Sequence, residues 1–176
     1  MKKLISIIAC AVIATAAAVA QPRAIGGYAG MMSQGVEYQH SFSGGSQFLE
    51  VFAGTDFAIF NGQLSGLAGA SYNFVFANFP KSAGQFNLWA GPGAIVGYGV
   101  TPLRHGKRDY NPYVDLMGTF GFDFTFNCHV MLFAKISPAV GICFGPNDDD
   151  GRMTVGVEFA RALYGAIPTI GVAYAF

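Results

Sequence analysis

The chain has 176 residues, 52% of them hydrophobic and 11% charged, with ten basic and ten acidic side chains. A charged fraction so far below the usual ~25% excludes a typical exported water-soluble domain. The even charge balance excludes the basic surface that nucleic acid requires.

The first element is an export signal. Lys2 and Lys3 form a short basic region, residues 4–20 are apolar and uncharged, and Ala18-Val19-Ala20 precedes Gln21 as a small-x-small cleavage site. This predicts a signal peptide over 1–20 and a single domain over 21–176. The same stretch is near the ~17-residue minimum for a membrane anchor helix, but its alanine content and cleavage site favour the signal. Cys10 in "IIAC" faintly resembles a lipoprotein box, with too short an apolar region before it. Without Lys2 and Lys3, eight basic residues face ten acidic ones, which leaves the domain near neutral.

Two long stretches, 57–80 and 82–103, carry no charge. They are poor helices: Gly84, Gly91, Pro92, Gly93, Gly97 and Gly99 interrupt the second, and Asn61-Gly62 breaks the first. Period two fits better. In "VEYQHSF" the polar set is Glu37, Gln39 and Ser41. Over 114–126, Val114, Leu116, Gly118, Phe120, Phe122, Phe124 and Phe126 share one face, and Asp115, Met117, Thr119, Gly121, Asp123 and Thr125 the other. A β-sandwich also alternates, but its outer face is rich in Lys, Glu and Thr. Here one face is dense with Phe, Val and Ile, and the other holds Gly, Ala, Ser and a few acids. That suits a barrel with hydrocarbon outside and a crowded interior, because a sheet in lipid must close to pair its backbone.

The alternation predicts eight strands, at about 24–32, 35–42, 47–59, 64–77, 86–99, 112–126, 129–144 and 167–176. The fold class is all-β, an eight-stranded antiparallel up-and-down transmembrane barrel. With both ends periplasmic, the inner turns fall at 43–46, 78–85 and 127–128. The outer loops fall near 33–34, near 61–62, at 100–111 and at 145–166. Phe42, Phe76, Phe86, Phe126, Tyr174 and Phe176 then form an inner aromatic rim, and Phe57, Tyr98, Tyr113 and Phe144 an outer one. Residues 153–159 also alternate and could be a short outer hairpin arm, an extension of a neighbouring strand or a true membrane strand; a ninth membrane strand would break the even count, so they are kept outside the membrane, in the outer loop. Pro92 removes a ladder donor, which predicts a bulge or kink in the fifth strand.

The segments "AIGG", "GVEYQHSF", "LWAGPGAIVGY" and the terminal "GVAYAF" resemble small eight-stranded outer-membrane barrels of the OmpA/OmpX-like architecture. The resemblance covers nearly all of 24–176 and rests on pattern. It implies an outer-membrane location and insertion by the barrel-assembly machinery, with Ile170, Val172, Tyr174 and Phe176 as the assembly signal. It implies no catalytic residues.

Alternation places Glu37, Gln39, Glu50, Asp56, Ser71, Asn73, Asp115, Asp123 and Lys135 inside, with Phe52, Trp89, Met117 and Phe133 beside them. An eight-stranded barrel is only wide enough for its own side chains, so the polar set reads as a hydrogen-bonded plug and not a pore. Five acids face one lysine, which is expected to serve Asp115, Asp123 or Glu37. Phe52, Trp89, Met117 and Phe133 could instead line a site for a small apolar ligand. Arg104, Lys107 and Arg108 could meet the phosphates of lipopolysaccharide. The run Asp148-Asp149-Asp150-Gly151 lacks the spaced carboxylates of a calcium loop, and no metal or cofactor is expected. Cys128 and Cys143 lie at opposite ends of one strand, roughly 50 Å apart at ~3.3 Å per residue, so both are expected to be free thiols.

Three functions remain open. The first is a structural or surface-interaction barrel of the cell envelope, monomeric and in contact with outer-membrane lipids and lipopolysaccharide. The second is a barrel that binds or transports a small hydrophobic ligand or lipid. The third, a lipid A-modifying enzyme, would need His105 with Asp109 or Ser33, and no nucleophile spacing recommends it.

Overall fold

The computed structural model describes residues 21–30, 33–56, 65–102, 108–146, 153–158, 162–163 and 165–176. They form one antiparallel sheet. Its strands are β1 (Gln21–Ala29), β2 (Ser33–Phe42), β3 (Gln47–Asp56), β4 (Gly66–Lys81), β5 (Gly84–Pro102), β6 (Arg108–Phe126), β7 (Val130–Ile136), β8 (Ala139–Pro146), β9 (Met153–Glu158) and β10 (Thr169–Ala175). Neighbours in sequence pair from β1 through β7, β10 pairs with β7, and β10 returns to β1, so the sheet closes on itself. Both β7 and β8 pair with β6. They are two halves of one stave interrupted at Ser137 and Pro138. Likewise β9 pairs with β8 and β10 with β7, so β9 and β10 are two halves of the last. The architecture is a closed eight-stave barrel. No helix among the described residues is long and apolar enough to cross a membrane.

Closure follows from the alternation. Along β6, Asn111, Tyr113, Asp115, Met117, Thr119, Gly121 and Asp123 are buried, and Val114, Leu116, Phe120 and Phe122 between them are exposed. A one-residue slip would exchange the two sets, so the register is strongly specified. Small residues make room for large ones inside. A Cβ at Gly69 would strike the Phe52 ring, at Gly93 the Met117 methyl, at Gly121 the Trp89 ring and at Gly171 the Phe133 ring. Each of these four large inward side chains thus lies over a glycine of an adjacent stave.

Several expectations are corrected. The fourth and fifth strands run on to a tight turn at Ser82 and Ala83, where residues 78–85 were expected to be a loop. The expected loop at 100–111 is largely strand, because β5 and β6 stay paired out to Pro102 and Arg108. Of the alternatives for residues 153–158 the structure shows a paired strand, an extension of a stave, in place of an outer loop. The eight-stave count survives because they extend the last stave. Pro92 keeps its pairing with Gly118 on β6, but the β4–β5 ladder skips Pro92 and Gly91 between Ser71↔Gly93 and Phe74↔Ala90, in keeping with the missing donor, and the register shift itself lies on β4 between Val75 and Ala77. Tyr113 is buried in the lumen and belongs to no outer rim. It shares the inward parity of Asp115 and Met117.

The outer surface is apolar. Twenty-four large hydrophobic side chains are exposed among the described residues, Leu116 by 70%. The aromatic ones crowd towards the end that carries the short turns. There Tyr38, His40, Phe42, Tyr72 and Phe74 touch in series, and Phe79, Phe86 and Phe122 form a second run.

Candidate functional site

A polar network crosses the lumen. Lys135 on β7 donates to Glu37 Oε2 on β2 at 2.6 Å and also to Glu50 on β3. Gln39 donates to Glu37 Oε1 at 2.9 Å. Ser71 reaches Glu50 at 3.5 Å, and Asn73 donates to the Ser71 hydroxyl at 2.8 Å. On the other side Arg23 donates to Gln39 Oε1 at 2.9 Å and to Asp123 Oδ2 at 2.5 Å. Asn87 donates to Asp123 Oδ1 at 2.7 Å, and Gln85 to Asn87 at 2.9 Å. This one connected chain draws side chains from β1 to β7. Among the described residues only the last stave adds none, and its inward residues there, Gly171, Ala173 and Ala175, leave room for the others.

Burial makes the pairing obligatory. Glu37, Glu50, Asp123 and Lys135 are each at most 7% exposed, and a buried charge without a partner is strongly destabilising. The Lys135 ammonium also sits 5.3, 5.5 and 5.4 Å from the ring centres of Tyr28, Phe52 and Phe133, within cation–π reach. Its partners are Glu37 and Glu50. Of the three expected for it, only Glu37 applies: Asp123 belongs to Arg23, and Asp115 is buried higher on β6, near Gly141.

Arg23 is the functional residue that the sequence reading missed. Strict alternation turns one of Arg23 and Ala24 outward. The β1–β2 register shifts between Pro22 and Ala24, and this bulge lets the guanidinium enter the lumen, 4.0 Å over the Phe48 ring. The unbalanced count of acids in the predicted lumen was the available signal.

Two spaces flank the network. A polar vestibule of about 430 Å³ opens at the end with the short turns, lined by Arg23, Gln85, Asn87 and Thr125 among others. On the other side is a cavity of about 60 Å³ whose apolar wall includes Phe52, Leu67, Ile95, Met117, Ala139 and Ile167, with Lys135 at its edge. Of the four candidate ligand-lining residues, Phe52 and Met117 face this cavity. Trp89 and Phe133 do not: Trp89 packs edge-on against Phe48 over Gly121, and Phe133 lies over Gly171.

The remaining candidates are placed as follows. Ile170, Val172, Tyr174 and Phe176 are exposed on the outer surface. Cys128 is exposed and Cys143 buried, both unpaired. Arg104 and Lys107 lie outside the described residues, as do the side chains of Asp56 and Arg108. Among the described residues no group of three or more His, Cys, Asp or Glu could hold a metal ion. Comparison with known protein families, curated proteins and solved structures finds no match to this chain.

Proposed function

We propose that the chain is an outer-membrane β-barrel of a Gram-negative cell envelope, non-enzymatic, with a side-chain plug and a structural or surface-interaction role. The observation that carries this reading is the inverted polarity of a closed sheet. Ion pairs fill the inside and large apolar side chains cover the outside. Each apolar side chain gains ~1.5–3 kcal/mol on leaving water. With twenty-four of them exposed, the surface favours hydrocarbon by an amount on the order of tens of kcal/mol. Contiguous apolar patches of such extent mark a membrane or partner surface. The signal-like residues 1–20 and the aromatic crowding at one rim agree with that location.

The network across the lumen supports a plug. It ties seven staves to one another, which pins register and puts paired side chains between vestibule and cavity. The expected role is mechanical: a short, rigid barrel that contacts outer-membrane lipids and lipopolysaccharide and carries outer loops to the surface. The apolar cavity favours a second reading, a barrel that holds a small hydrophobic ligand. Gel migration of membrane fractions with and without heating tests the location and the barrel together. A heat-modifiable band in the outer-membrane fraction is expected, and a chain recovered from the soluble fraction would refute the proposal. Planar-bilayer recording separates plug from pore, with no steady conductance expected.

A further inference from the structure

The vestibule is the larger of the two spaces beside the network, about 430 Å³, and small-molecule sites measure ~300–1,000 Å³. Its walls come from β1, β2, β5, β6, β7 and β10, with the short turn at 43–45 on one side of the mouth. There Gly44 and Gly45 take the left-handed backbone, at φ 69° and 90°, and a Cβ on either would meet nothing within 4 Å. The mouth is clear on that side. Ser41 and Thr125 bring hydroxyls to the wall, and Gln85 and Asn87 bring amides. Each of these groups both donates and accepts. Arg23 adds a guanidinium with five N–H donors, more than its bonds to Gln39 and Asp123 use.

Several of these groups are held in place already. Asp123 holds both Arg23 and Asn87, Gln85 donates to Asn87, and Phe48 lies under the guanidinium. A wall ordered in advance loses little entropy when a ligand arrives. Charge decides which polar molecule fits. Arg23 is the only charged side chain in the lining, and Asp123 behind it cancels its charge. Both Asp123 oxygens are taken and its side chain is buried, so a cation meets no side-chain carboxylate there. Deeper in the lumen Glu37 and Glu50 outnumber Lys135 by one charge, and that field repels an anion.

We infer that the vestibule binds one ring of an uncharged saccharide, with the rest of the glycan outside the mouth. A sugar ring carries hydroxyls at its edge, each a donor and an acceptor, and presents an apolar C–H face. The wall offers both partners: amides, hydroxyls and guanidinium for the edge, and Met131, Ala175 and Phe176 for the face. A sugar with hydroxyls alone and one that also bears an acetamido group share this chemistry. The site goes beyond the structural role proposed above, and it stands on the folded barrel and its plug, whichever membrane holds them.

The test follows isotope-labelled methionine methyls by NMR in the folded chain in lipid nanodiscs. Met131 lines the vestibule and Met117 the cavity beyond the network, so they report from opposite sides. The chain is titrated with two neutral disaccharides, cellobiose and di-N-acetylchitobiose, and with anionic cellobiouronic acid. A saturable shift of Met131 with at least one neutral sugar is expected, with Met117 unmoved and the acid at least about tenfold weaker. Whichever neutral sugar binds names the class of glycan. Thr125→Val and Gln85→Ala should each weaken binding about threefold to tenfold, the worth of one hydrogen bond. Heat-modifiable migration reports that each chain is folded. A folded parent chain whose Met131 responds to neither neutral sugar overturns the inference and leaves the barrel standing. Equal affinity for the acid, equal movement of Met117, or parent affinity in both folded variants overturns it too. A parent chain with no heat-modifiable form overturns the barrel, and the site with it.

Discussion

Removing the Lys135 ammonium is the most direct test of the plug. Lys135→Met keeps most of the aliphatic stem among Tyr28, Phe52 and Phe133 and deletes the donor to Glu37 and Glu50. Each carboxylate loses one hydrogen bond to a charged group, worth ~1.5–3 kcal/mol. Two such losses give about 3–6 kcal/mol, which agrees with the ~3–5 kcal/mol seen when one partner of a buried pair is removed. Little of this is screened, because Glu37 and Glu50 are 2% and 1% exposed. The remaining partners are weak substitutes: Gln39 already serves Glu37, and the Ser71 contact to Glu50 is long. The expected loss is therefore about 3–5 kcal/mol, read as a shift in urea-induced unfolding of the chain refolded in phospholipid vesicles. The triple variant Lys135→Met, Glu37→Gln, Glu50→Gln carries no stranded charge and should recover at least about half of that loss. A single variant that loses less than about 1 kcal/mol, the range of an exposed pair, would refute the reasoning. So would a triple variant no more stable than the single one.

Gly171→Val should fail to give the compact gel form, because its Cβ would lie within the Phe133 ring and close to the Gly27 carbonyl. Phe133→Ala should tolerate a Cβ at 171 better than the parent chain does, as Gly171→Ala in both backgrounds would reveal. Arg23→Ala should strand Asp123 beside Asn87 and lower stability by about 3–5 kcal/mol, measured by the same unfolding assay; an unchanged midpoint would count against the bulge that turns Arg23 inward. In the folded barrel a polar maleimide should modify Cys128 rapidly and Cys143 only after unfolding, since one is exposed and the other buried; peptide mapping separates the two sites. Equal rates would show that the β6–β8–β9 wall around Cys143 is open.

Much of this protein is legible in its sequence, because a β-strand repeats every two residues and a barrel has only two faces. The run 111–123 assigns each side chain to lumen or surface without any knowledge of neighbours. Glu37, Gln39, Glu50, Asn73, Asp123 and Lys135 could be placed inside for the same reason. So could the aromatic crowding around Phe42, Phe86 and Tyr174, which follows from counting strands. What alternation leaves open is which stave stands beside which height of the next. That Lys135 meets Glu50 and not Asp123 depends on the offset between staves accumulated around the ring. A single bulged residue near Arg23 changes the parity that strict counting assumes. The break at Ser137 and Pro138 between the two halves of one stave is equally invisible, since the alternation on either side of it runs on at the same parity. Periodicity is a property of one chain segment and survives in the sequence, whereas contact across the lumen is a property of closure and exists only once all eight staves have met.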